Sequence, residues 1–180
     1  MKIGDYLIQN WRMRVAARWI MRGSRVLDIG CHQGEFFEFL GNRINPSIGI
    51  DPLLASSTRM IRHQLFPWIF HDILPFKNQS FDAITLLATI EHMNNKDAIV
   101  KESWRLLRPG GRVVITAPGS IVDDILSILK ILRIVDGMSL DEHHGFNIKE
   151  LPDTFKKEGF VLKAWQKFQL GLNNLFVFER

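Results

Sequence analysis

Residues 26–36, VLDIGCHQGEF, constrain this chain more than any other stretch. A short apolar run closes on an acid at Asp28. Gly30 then supplies a tight turn, and Gly34 opens a segment that reads as a helix. A strand, a glycine turn and a helix in immediate succession make the first half of a parallel strand–helix–strand unit. The carboxyl end of such a strand is where a nucleotide-like ligand is held. Ile48-Gly49-Ile50 is the next short apolar run, and it too closes on an acid, Asp51.

The rest of the chain continues the alternation of short β-rich runs with longer segments of helical period. The pattern predicts helices over 6–21, 34–40, 53–64, 96–107, 121–135 and 148–158. It predicts strands over 25–29, 47–50, 68–71, 83–87, 112–116, 161–168 and 175–178. Strands alternating with helices give an open α/β sheet covered on both faces. No helix separates the last two strands, so the sheet should end in an antiparallel pair. The expected fold is a Rossmann-like, seven-stranded mixed sheet with helices on both faces and a C-terminal antiparallel hairpin.

The chain has 180 residues and is 46% apolar, enough for one domain with a sizeable core. No linker or repeat divides it, so residues 1–180 are read as a single domain with a flanking helix within 1–22. Residues 1–10 lack an apolar signal region and no apolar run is long enough to span a bilayer, which makes a cytoplasmic location the expectation. Cys31 is the only cysteine, so neither an intramolecular disulfide nor a thiolate zinc cluster can form. The net charge of +4 is concentrated near the start, where Lys2, Arg12, Arg14, Arg18, Arg22 and Arg25 face Asp5 alone. The remainder is close to neutral, which argues against a nucleic-acid partner.

The loop after the first strand separates two cofactor classes. A dinucleotide fingerprint needs G-x-G-x-x-G so that a pyrophosphate can sit on the helix N-terminus. Here the loop is Gly30-Cys31-His32-Gln33-Gly34, with His32 where a second glycine belongs. Asp28 would also repel a phosphate, so the loop favours a cofactor without one. Asp51 suits the hydroxyls of a ribose, because a carboxylate accepts from two hydroxyls at once. His71-Asp72-Ile73 offers a polar group to an adenine amino group and an apolar side chain to its ring.

Four segments in order resemble class I S-adenosylmethionine-dependent methyltransferases: VLDIGCHQGEF, GIDP, HDILPFKNQSFDAITLLATIEHM and LLRPGGRVVITAP. The resemblance runs from about Ser24 to Pro118 and is closest to the small-molecule enzymes of that group; His32 departs from the family's usual glycine. It implies S-adenosylmethionine as cofactor, with Asp28, Gly30, Cys31 and Gly34 around the methionine moiety. It also implies Asp51 at the ribose, Pro52 beside the adenine, Asp72 and Ile73 at the base, and Leu87 and Ala88 near the sulfonium. Cys31 is read as a neutral buried thiol, not a nucleophile.

Methyl transfer from a sulfonium needs alignment of the acceptor, and a base only if the acceptor loses a proton. Glu91 and His92 after the fourth strand, and His143 and His144 before Gly145, are the candidate bases; of these His92 and His144 are the candidate catalytic groups, each with an ordinary capping or loop role as its alternative. Asp141-Glu142-His143-His144 is read as a solvated loop and no metal site is assigned. In the first helix Leu7, Trp11, Val15 and Trp19 form one ridge and Arg14, Arg18 and Arg22 its neighbour. Packing on the sheet edge competes there with contact to an anionic substrate, a lipid surface or an acidic partner. The 121–135 helix is apolar over most of its circumference and could serve as a lid, a dimer contact or a peripheral membrane contact. The expected acceptor is a small molecule or a lipid- or glycan-linked one. The rivals are a nicotinamide-dependent oxidoreductase and a non-catalytic S-adenosylmethionine-binding module or partner subunit.

Overall fold

The computed structural model describes residues 3–119 and 148–180. Helix α1 (Ile3–Ala17) precedes strand β1 (Val26–Ile29), helix α2 (Glu35–Leu40) and strand β2 (Ile48–Ile50). Two short strands follow, β3 (Thr58–Arg59) and β4 (Gln64–Phe66). Then come β5 (Phe81–Leu87), α3 (Lys96–Leu106), β6 (Leu107–Pro118), α4 (Leu151–Glu158), β7 (Val161–Phe168) and β8 (Asn173–Glu179). The helix expected over 121–135, and His144, lie outside the described residues.

Among the described residues, eight strands form one mixed sheet in the order β3-β4-β2-β1-β5-β6-β8-β7. Strands β4, β2, β1, β5 and β6 run parallel, while β8 pairs antiparallel with both β6 and β7. Alternation along the strands divides the core in two. Leu27, Ile84, Val113 and Phe176 face one layer, with Ile99 and Val100 of α3 and Phe155 of α4. Val26, Ala83, Val114 and Val177 face the other, with Met13 and Ala16 of α1 and Phe36 and Phe37 of α2. Phe155 stacks on Phe178 with ring centroids 4.0 Å apart; burying rings of this size stabilises by about 1.5–3 kcal/mol each.

The expected mixed α/β sheet with its C-terminal hairpin is present, with one strand more than anticipated. The segment expected to be helical over 53–64 instead carries the β3–β4 hairpin, β3 pairing antiparallel with β4. Leu53 and Ile61 both point to solvent, so its apolar residues make no single buried stripe. His63 ties the segment down: it stacks on Phe37 at 4.8 Å and its Nδ1 accepts the Ser47 backbone N–H. The strand expected over 68–71 falls earlier, at Gln64–Phe66. Pro67 lacks the amide N–H a continuing ladder needs. The Trp68 N–H returns to the Asp51 carbonyl at 3.3 Å, and residues 68–72 are left to line a cleft.

Helix α3 holds the approach to β5. Its Glu102, buried, accepts the Leu74 N–H at 2.7 Å and pairs with Arg105 at 2.6 Å. Arg105 in turn donates to the carbonyls of Leu74 and Phe76 and to Asn78. One acid and one arginine therefore satisfy a loop that would otherwise leave buried backbone groups unpaired.

Candidate functional site

Strand order reverses between β1 and β5, and the loops leaving these two strands part to opposite faces of the sheet. The crevice this opens at the carboxyl edge is the ligand position of an open α/β sheet. It is a cleft of about 540 Å³ lined by the loop after β1, the ends of β2 and β5, and Gln9, Arg12 and Met13 of α1. A second cleft of about 410 Å³ adjoins it, walled by residues 68–72 and 92–95. Gly30, Pro52, Thr89 and His92 border both.

The glycine loop is anchored on the neighbouring strand. The Gly30 and Cys31 N–H groups both donate to the Ile50 carbonyl, at 2.8 and 3.2 Å. Gly30 has φ 79°, and a Cβ there would lie 2.2 Å from Thr89 Oγ1. Two facts thus require glycine: the left-handed backbone and the contact with the β5 loop. His32, at φ 47°, keeps the left-handed conformation that a glycine would take. Its N–H donates to Asp51 Oδ2 at 2.8 Å, and its Nδ1 lies 2.6 Å from Glu35 Oε1. These contacts offset a backbone strain of roughly 1–2 kcal/mol.

Asp51 accepts the Leu53 N–H on Oδ1 at 2.8 Å and the His32 N–H on Oδ2. Both oxygens are thereby oriented, and each keeps acceptor capacity for a ligand. Asp28 is buried at the end of β1, where Thr85 Oγ1 donates to its Oδ1 at 2.5 Å. Burial pushes its carboxyl up to about 7; the Thr85 hydrogen bond opposes this, and the charges of Asp51 and Glu35 add to it. Cys31 packs over Gly49, and burial drives its thiol pKa upward, which suits an inert thiol.

Of the residues expected at the site, Asp28, Gly30, Cys31, Asp51, Pro52, Leu87, Ala88 and His92 converge on the first cleft. Asp72 lines the second and accepts from Asn95 Nδ2 at 3.2 Å. Gly34 lies behind the loop, where a Cβ would strike Met60 Sδ at 2.7 Å. Ile73 lines neither cleft and is exposed. The apolar wall of the second cleft comes from Trp68, Ile69 and Phe70 instead.

Arg12 is the site residue that sequence reasoning missed. It stands off the Arg14–Arg18–Arg22 ridge, on the side of α1 that carries Met13 and Ala16, and a charge on a buried face was the available signal. Its Nε is buried without a hydrogen-bond partner, and burial lowers its pKa. Glu91, after β5, has a buried Oε2 in the same condition. Burial pushes its carboxyl up to about 7, against the pull of its own backbone N–H, Arg12 and Lys96. Arg12 lines the first cleft, and a buried donor left open there costs free energy until something pairs with it. Together with buried Asp28, the Gly30 cradle and the oriented Asp51 carboxylate, it suits a ligand carrying a carboxylate, a cationic centre and a ribose.

A family model described as a methyltransferase domain matches residues 2–164. An uncharacterised protein of Methanocaldococcus jannaschii is 30% identical, over 87% of this chain and 71% of its own length. The ubiquinone biosynthesis O-methyltransferase of Xanthomonas oryzae pv. oryzae is 32% identical over 57% of this chain; the chain spans 46% of that relative's length. Among solved structures, the putative methyltransferase bound to the Haloferax volcanii Trm112 methyltransferase activator superposes with a TM-score of 0.73. It is 14% identical, over 95% of this chain and 90% of that one.

Proposed function

This chain belongs to the methyltransferase domain family, whose members use S-adenosylmethionine, and on that premise we propose that it methylates an oxygen of a small, lipid-linked or glycan-linked acceptor. The observation that carries the reading is the convergence of Asp28, Asp51 and the Gly30 loop on one cleft at the carboxyl edge of the sheet. The relative named as an O-methyltransferase supports oxygen as the acceptor atom.

In this reading Asp51 takes the ribose hydroxyls. Pro52 and the 68–72 segment, with Asp72, hold the base in the second cleft. Arg12 takes the carboxylate of the methionine end, and Asp28 faces its positive charge. Bound there, S-adenosylmethionine supplies a methyl group on a sulfonium, which departs as a neutral thioether. Leu87 and Ala88 wall the cleft at the end of β5 and exclude water from the line of attack. His92 borders both clefts and receives the proton that an acceptor hydroxyl loses as its oxygen forms the new bond to carbon.

Calorimetry with S-adenosylmethionine, its demethylated product and NAD tests this. The first two bind and NAD does not; binding of NAD alone would overturn the reading. Turnover only on nitrogen or carbon acceptors would overturn oxygen as the acceptor atom, and binding of the sulfonium without turnover across a broad acceptor panel would leave a cofactor-binding module instead. Asp51→Ala weakens cofactor binding by ~1–3 kcal/mol, the scale for hydrogen bonds to a charged group. Unchanged affinity would remove Asp51 from the ribose.

A further inference from the structure

Helix α1 carries two apolar faces. Met13, Ala16 and Ala17 are buried against the sheet. On the opposite side Leu7 is 62% and Trp11 47% exposed, flanked by the exposed Arg14 and Arg18. The Leu7–Trp11–Val15–Trp19 ridge, for which packing and outside contact competed, thus divides along its length. Trp19, just past α1, is half-buried, with the Arg112 guanidinium 5.8 Å from its ring, while Leu7 and Trp11 face outward. Among the described residues, no carboxylate pairs with Arg14 or Arg18.

A second element extends this surface. Gln169, in the β7–β8 turn, is buried, donates to the Ile8 carbonyl at 2.7 Å and accepts from Asn173 at 2.6 Å. That strut fixes the turn beside α1. The next residue, Leu170, is held at φ 57° and is 95% exposed. Leu7, Ile8, Trp11 and Leu170 therefore form an outward apolar surface edged by arginine.

We propose that the outward face of α1, together with the Leu170 turn, docks on an anionic lipid bilayer. A helix with aromatic and aliphatic groups on its free face and arginines beside them lies in the plane of a bilayer, its rings at the headgroup level. The arginines meet anionic headgroups, and the excess of positive charge in the first 25 residues is complementary to them. An acidic protein would answer the charge but not the bare Leu7–Trp11–Leu170 surface. The same helix lends Gln9, Arg12 and Met13 to the wall of the first cleft, and exposed Leu53 lines that cleft too. Docking therefore brings the cleft mouth near the membrane. Only this last consequence rests on the activity proposed above: it selects a lipid-borne hydroxyl as the acceptor.

Flotation of the full chain with vesicles of phosphatidylcholine, alone or mixed with phosphatidylglycerol, tests the surface. The protein floats with the mixed vesicles, binds phosphatidylcholine alone more weakly, and is released as salt rises. Leu7→Glu/Trp11→Glu and Arg14→Glu/Arg18→Glu each lower binding roughly tenfold or more. Both variants keep the wild-type melting temperature and affinity for S-adenosylmethionine. Failure of the wild type to bind mixed vesicles, or unchanged binding by either variant, overturns the proposal. So does a dimer that Leu7→Glu/Trp11→Glu dissociates in the absence of vesicle binding. Calorimetry on the same preparations keeps the two readings apart: vesicle binding without S-adenosylmethionine binding removes the proposed activity and leaves the surface standing.

Discussion

At the scale of single residues, the electrostatics of the cleft turn on Asp28. Its carboxyl is pushed up to about 7, chiefly by burial, so near neutrality it is shared between its neutral and charged forms. A cationic ligand favours the charged form. Affinity for S-adenosylmethionine should therefore fall as pH drops below 7, by up to about tenfold per unit, and Asp28→Asn should flatten that dependence and weaken binding above pH 7. Calorimetry across pH 5.5–8.5 measures both. The stability of the ligand-free protein runs the other way. A carboxyl raised above its unfolded value favours the fold below the unfolded pKa, and the advantage is lost as pH rises through the folded one. Glu91, also at about 7, adds to the same slope. Asp28→Asn should thus raise the melting temperature at pH 8 by roughly 2–8 °C while impairing cofactor binding. A lowered melting temperature would show that ionised Asp28 stabilises the fold. Asp28 and Asp51 were legible as site residues because each closes a short apolar run. Arg12 was not, and the burial of Glu91 was not, since which of many charged residues ends up buried is a property of packing.

At the scale of elements, loop and strand geometry followed from local chemistry wherever glycine or alternation spoke clearly. Gly30 is the strictest case. A methyl group there meets the side chain of Thr89 and requires a left-handed backbone. Gly30→Ala should lower stability by ~1–3 kcal/mol and cofactor affinity with it. Adding Thr89→Ala should recover part of the stability in denaturant melts, because the nearest atoms are then gone. Helix α3 was read from sequence almost to its ends, yet its structural task was not. Glu102→Ala should destabilise by about 2–3 kcal/mol, since it strands the Leu74 N–H and the Arg105 guanidinium together; the partial exposure of Arg105 keeps the loss below that of a fully buried pair. Chemical denaturation reads this directly. The segment after β2 misled because spaced leucines and isoleucines suit a helix as long as burial is unknown, and two of them remain in solvent.

At the scale of the whole molecule, the cleft exists because β1 and β5 are neighbours whose following loops diverge. Ligand binding should accordingly couple to global stability. At a hundredfold excess over its dissociation constant, S-adenosylmethionine should add ~2.7 kcal/mol to unfolding. A thermal melt should show the rise for the wild type and a smaller one for Asp51→Ala at the same ligand concentration. The amino-acid sequence by itself determined the α/β alternation, the antiparallel ending and the acid-and-glycine loop, and four motifs in it carried the family resemblance that implies the donor. These are local: apolar period, turn chemistry and the residue closing each strand are all written within a few positions. The eighth strand, the burial of Arg12 and Glu91, the second cleft and the free face of α1 were decided only by the tertiary structure. Each depends on which residues meet across the sheet, and burial, the quantity that sets their charge and exposure, has no value until those distant segments pack.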